Sequence, residues 1–175
     1  MKKQLAAGAG VLGAAITILY SFTPPHEGVR YDGYRDPIGI PTAGVGHTGP
    51  DVVLGQVYSR EQVMAWFTDD LNAHAQIVDR CVGGIERLRH PKIAASWVDH
   101  AFNNGPGKKG VKDGFCVLKN GREPTHLRRI KAGDLAGACA MHPQWANPPL
   151  PGLKKRAMAR YRMCMEGVYE LSVHT

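Results

Sequence analysis

The stretch HEGVRYDGYRDPIGIPTAGVGHTG, residues 26–49, decides the fold. It is rich in Gly, Tyr and Asp and falls into short β-prone pieces. Residues 29–35, 39–41 and 43–47 read as strands of a small twisted antiparallel sheet. Gly33, Gly39, Gly44 and Gly46 mark its turns.

Beyond this stretch the texture turns helical. Ser59-Arg60-Glu61-Gln62 is a capping-box pattern. Val63, Trp66, Phe67, Leu71 and Ala75 follow at helical spacing and predict a helix to about Arg80. Pro91 opens a second helix, whose Ile93, Ala94, Trp97, Val98, Ala101 and Phe102 face the core, and Gly105 ends it. Residues 105–115, rich in Gly and Lys, predict a flexible loop. A short helix is expected over Thr125–Lys131, and Asp134 is the N-cap of another. A proline-rich interruption at 143–151 precedes a long final helix over 153–171. The architecture is α+β: a small sheet lobe joined to a larger helical lobe, with a cleft between them suited to a ligand.

The chain has 175 residues, 43% apolar and 21% charged, which suits one globular domain plus an appendage. Its formal net charge of +7 favours an anionic partner, whether nucleic acid, acidic lipid or cell-wall polymer. The run Lys154, Lys155, Arg156, Arg160 and Arg162 reads as a solvated helix face. No recognised nucleic-acid fold or aromatic stacking platform accompanies it, so no nucleic-acid partner is expected. Cys81, Cys116, Cys139 and Cys164 show no CxxC spacing, which argues against a zinc ribbon or a thioredoxin-type motif. An even number fits two disulfides in an exported chain, with three connectivities open. The eight histidines form no HxxxH or HExxH cluster, and no metal is expected.

At the N-terminus, Lys2 and Lys3 precede 19 residues, Gln4 to Phe22, without formal charge. That length just spans a bilayer as a helix. Many members are Gly or Ala, and each Leu or Ile contributes only about 0.3–0.6 kcal/mol to insertion, so the segment is marginal. Pro24 and Pro25 stop the helix, and no small-x-small cleavage site follows the apolar run. Residues 1–22 are therefore expected to be an uncleaved signal anchor with its positive end in the cytoplasm. Residues 23–175 would then form a domain in the periplasm. The competing readings are a cleaved signal peptide and an apolar helix packed within a soluble protein.

Glycoside hydrolysis needs two groups astride the scissile bond, one to protonate the leaving oxygen and one to activate water or attack carbon. Glu27, just before the sheet, and Asp36, at its first turn, could stand across such a gap. Spacing alone does not select them, since carboxylates nine positions apart are ordinarily solvated. The wider pattern does. Glu27, eight residues, Asp36, five residues and Thr42 resemble the triad of the phage lysozymes of glycoside hydrolase family 24. So do Glu27-Gly28, Tyr34-x-Asp36, Gly39, Gly44, Gly46-His47-Thr48-Gly49, Phe102-Asn103-Asn104-Gly105, Ala132-Gly133-Asp134, Trp145 and Gly152-Leu153.

The resemblance runs from about residue 26 to 167 and implies a lysozyme-like fold. It makes Glu27 the general acid, with Asp36 and Thr42 positioning the attacking water, and inversion at the anomeric carbon. The bond would be the β-1,4 link between N-acetylmuramic acid and N-acetylglucosamine in peptidoglycan, cut by a monomer without metal or cofactor. It also implies that Gly46, Phe102 and Asn103 line the cleft and that His47 pairs with Asp70. It supports a Cys139–Cys164 disulfide, which leaves Cys81 for Cys116.

A weak, uncleaved Ala/Gly-rich anchor is similar to those of signal-anchor-release endolysins. These sit inactive in the host inner membrane, here through residues 4–22, and later become soluble in the periplasm. No cysteine occurs between residues 1 and 80, so control by refolding is expected: the released anchor packs on the domain and positions Glu27. Arg160 departs from the family pattern, standing where an acid is common. The alternatives are a lytic transglycosylase and an inactive membrane-tethered wall-binding module.

Overall fold

A computed structural model describes residues 2–146 and 150–173, with side chains from residue 10 onward. Helix α1 (Lys2–Phe22) leads into a single turn, α2 (Pro24–Glu27). Strands β1 (Arg30–Arg35) and β2 (Pro41–Gly44) follow, then helices α3 (Arg60–Val82), α4 (Pro91–Asn104), α5 (Thr125–Lys131), α6 (Leu135–Cys139) and α7 (Pro151–Val173). The expected interruption at 143–151 begins with a 3-10 turn, His142–Trp145, and its residues 147–149 lie outside the described residues.

The sheet lobe is an antiparallel hairpin that pairs Tyr34 with Thr42, Arg35 with Pro41 and, past an irregularity, Arg30 with Gly44. Two of the three expected strands need correction. Asp36 Oδ1 accepts the N–H groups of Ile38 and Ile40 at 3.0 and 2.8 Å, which folds residues 36–40 into the hairpin turn. Residues 43–47 bend through Gly44 and Gly46, whose φ values of +63° and +80° turn the chain and leave only a bridge between Ala43 and His47. Gly33 lets the following loop cross β1: a Cβ there would lie 2.1 Å from the Val53 carbonyl oxygen.

The helical lobe is built around α4, whose residues 93–101 are all buried. It packs against α3, α7 and α1. The helix ends follow the sequence signals. Ser59 accepts the Gln62 N–H at 3.1 Å to start α3, Asp134 accepts that of Gly137 at 2.8 Å to start α6, and Gly105 closes α4. Residues 105–115, expected to be flexible, are laced by backbone hydrogen bonds. Phe115 is fully buried beneath them, with its N–H on the Gly105 carbonyl at 2.9 Å. The disulfides are Cys81–Cys116, which ties this loop to α3, and Cys139–Cys164, which ties α6 to α7.

In this structure α1 lies docked on the domain. Ala15 and Leu19 are fully buried, and Val11, Leu12, Ile16, Ile18 and Phe22 pack half-buried against the core. Burying a leucine contributes about 1.5–3 kcal/mol, so Leu19 is a principal peg. Tyr20 lies edge-on to Phe67 at 5.6 Å, and its hydroxyl makes a short hydrogen bond with the Thr68 hydroxyl. Gly10, Gly13, Ala14, Thr17, Tyr20 and Ser21 face solvent. Among the described residues, no helix is long and apolar enough to cross a membrane.

Candidate active site

Glu27 closes the single turn α2. Its N–H and that of His26 both bond to the Thr23 carbonyl, at 3.2 and 3.0 Å, and Gly28, with φ of +79°, swings the chain into β1. The Glu27 side chain is 24% exposed, and its Oε1 accepts a short hydrogen bond from Arg156 Nη1. Among the described residues Oε2 takes no hydrogen bond. A Cβ placed on Gly46 would lie 3.9 Å from it, so the turn after β2 faces that oxygen.

Behind Glu27 runs a buried charge network. Arg156, 3% exposed, donates from Nε and Nη2 to the two Asp99 oxygens at 2.9 and 2.8 Å. Arg160, 2% exposed, donates to Asp99 Oδ2 at 2.7 Å and to Asn103 Oδ1 at 2.9 Å. The Thr23 hydroxyl donates to Asp99 Oδ1 at 2.7 Å. Two carboxylates thus meet two guanidiniums, and charges buried at this depth persist only when paired and hydrogen-bonded in this way. Burial alone would raise the Asp99 carboxyl, but Arg156, Arg160 and the Thr23 hydroxyl outweigh it and hold the group well below the usual carboxylate range.

Asp36 and Thr42 flank the turn of the hairpin. Thr42 is buried, with its hydroxyl on the Ile40 carbonyl at 3.0 Å. It stands two residues along β2 from Gly44, about 7 Å at the usual strand rise. Gly44 pairs with Arg30, three residues beyond Glu27. One strand pair therefore carries Asp36 and Thr42 at one end and approaches Glu27 at the other.

His47 Nδ1 lies 2.9 Å from Asp70 Oδ2 and Nε2 lies 3.3 Å from Asp51 Oδ1, while the ring stacks on Trp66 at 4.6 Å. Phe102 packs its ring against Phe67 and His74, and Asn103 accepts from Arg160. Neither side chain meets Glu27 directly. Among the described residues, no group of three His, Cys, Asp or Glu could hold a metal ion. A cavity of about 440 Å³ opens past the end of α4, lined by Asn104, Thr125, Gln144 and Trp145. Since it does not include Glu27, the chemistry and not the hollow marks the site.

The basic run on α7 requires correction. Lys154, Lys155 and Arg162 are exposed as expected of a solvated face, but Arg156 and Arg160 point inward. Their spacing of four puts them on one helix face. The other signal was Asp99, an acid on the apolar stripe of α4, which calls for a cationic partner from elsewhere.

A model of the phage lysozyme family matches residues 25–160. Over 95% of its length the chain is 30% identical to a SAR-endolysin of Enterobacteria phage PA-2, of which it covers 96%. It is 29% identical to the SAR-endolysin of Enterobacteria phage P21, again over 95% of this chain and 96% of that protein. The fold is similar to the crystal structure of the active form of the P1 phage endolysin Lyz, with a TM-score of 0.71, 21% identity, and 90% and 94% of the two chains covered.

Proposed function

Because this chain belongs to the phage lysozyme family, a family of glycoside hydrolases, we propose that its muramidase chemistry is carried by Glu27 as general acid, with Asp36 and Thr42 holding the attacking water. The substrate is the β-1,4 bond between N-acetylmuramic acid and N-acetylglucosamine of peptidoglycan. One observation carries the assignment. Arg156 fixes the Glu27 carboxyl through Oε1 and leaves Oε2 facing the turn at Gly46 that follows β2. In this reading Oε2 gives its proton to the glycosidic oxygen as the bond to the anomeric carbon breaks. Water enters from the opposite face and loses its proton to Asp36, which gives inversion. Gly46 keeps the approach to Oε2 clear, and Phe102 and Asn103 line the cleft with it. Replacing Glu27 with Gln is expected to lower the rate of clearing of permeabilised cells by about 10²–10⁴-fold while the protein stays folded. Wild-type clearing by that variant would remove Glu27 from the mechanism. Products that carry one added water support hydrolysis, whereas anhydro-sugar ends would make the enzyme a transglycosylase.

The relatives are SAR-endolysins, and we extend that route to this chain. Residues 1–22 first hold the protein in the host inner membrane, and residues 23–175 form the catalytic domain on its periplasmic side. On release α1 docks as seen here and the enzyme is soluble. The docked helix supports this reading, because Gly10, Gly13, Ala14, Thr17, Tyr20 and Ser21, which weaken it as a membrane segment, face water once it is docked.

A further inference from the structure

We propose that Thr23 is a positioning residue that transmits the docking of α1 to the general acid through Asp99 and Arg156. This rests on Glu27 being that acid. Thr23 stands between α1 and α2 and is fully buried. It occupies an N-cap position, where a threonine hydroxyl ordinarily accepts an N–H of the first helical turn. Here Pro24 and Pro25 supply no N–H, and the next two N–H groups bond to the Thr23 carbonyl. The hydroxyl makes no capping bond and donates to Asp99 Oδ1 at 2.7 Å. From Asp99 the contacts continue through Arg156 to Glu27 Oε1. Thr23 therefore holds the acid twice, by backbone and through the network.

The docking of α1 decides whether the hydroxyl can be there. The Thr23 N–H bonds to the Leu19 carbonyl at 3.0 Å, so the last turn of α1 carries it. That turn is seated by Leu19 and Ala15. When α1 sits elsewhere, Asp99 loses a donor from its buried surroundings. Arg156, shared between Asp99 and Glu27, is then drawn toward Asp99, and the Glu27 carboxyl loses its fixed place.

Three single variants of the full-length, soluble protein, and one double variant, test this on soluble peptidoglycan fragments. Thr23→Val removes the hydroxyl and keeps the shape, Thr23→Ser restores it, and Leu19→Ala loosens the seat of α1. Thr23→Val is expected to lower kcat about ten-fold with KM within about two-fold, and Thr23→Ser to recover it. A merely structural threonine would change the unfolding midpoint without this split. Leu19→Ala should lower kcat by a similar factor, and the Leu19→Ala/Thr23→Val double variant should fall no further than the worse single, since both act on one contact. Wild-type kcat in Thr23→Val, failure of the serine to recover it, or additive losses in the double variant would each overturn the proposal. Should Thr23→Val not fold, kcat of Leu19→Ala decides in its place: a ten-fold loss supports the coupling and a wild-type value overturns it. Activity surviving in Glu27→Gln would count against the assignment of the acid, not against the coupling.

Discussion

Removing the guanidinium of Arg156 would strand the fully buried carboxylate of Asp99 with only one remaining cation and set Glu27 loose. Breaking a buried pair by deleting one partner costs about 3–5 kcal/mol, because the charge left behind has no water to turn to. Arg156→Met is therefore expected to lower unfolding stability by about that amount in urea titration, and a loss under about 1 kcal/mol would show the network to be loosely held. Arg156→Lys should lie between, since one ammonium cannot make the forked bond to Asp99 and still reach Glu27. The triad spacing was visible in the sequence. The network was only half visible: Asp99 on an apolar stripe and two arginines four apart were signals, but which helix would face which depends on tertiary packing.

At the scale of elements, α4 carries a second buried group of polar side chains. Trp97 stacks on His142 at 3.9 Å and on His126 at 4.7 Å, and His100 packs beside both histidines. Burial pushes His126 down to about 4 and holds His100 and His142 well below the ordinary histidine value, helped for His100 by the nearby His126 and Arg160 charges. A histidine lowered on folding binds its proton more readily when unfolded, so its contribution is intact above 6.5 and is lost as pH falls from there toward 4. Each such histidine therefore lowers stability as pH falls across that window. Asp99 contributes nothing to this slope, because a carboxylate held low loses its stabilisation only below 3.8. The melting temperature is thus expected to hold level from pH 7.5 to about 6.5 and to fall from there to 4.5, with a shallower fall in His100→Phe. A flat profile would mean that the cluster admits water or protons freely. Caps and apolar periodicity made α3, α4 and the start of α6 legible in sequence. The sheet was less so, because Gly39, Gly44 and Gly46 mark turns without saying how many residues remain paired between them.

Across the whole molecule, two disulfides close loops of 35 and 25 residues, each worth about 3–4 kcal/mol in the chain-entropy account. The second holds α6 to α7, the helix that brings Arg156 and Arg160 to the site. Such bonds form in oxidising compartments, in keeping with the proposed route through the inner membrane. On that route, full-length protein is expected in the inner-membrane fraction before lysis and later in the periplasmic supernatant, with an N-terminus that mass spectrometry finds uncut. A soluble form shortened by about 20 residues would instead mark a cleaved signal peptide.

The solvent face of docked α1, with Gly10, Gly13, Ala14, Thr17, Tyr20 and Ser21, sets a bound on how this sequence can vary. The proposed route asks one helix to satisfy two solvents in turn. A leucine at Gly13 would serve lipid better and water worse, and a lysine there would do the reverse. On that route such positions would be confined to small or faintly polar side chains, since neither environment could hold the helix too firmly, and the compromise in composition would act as a timer.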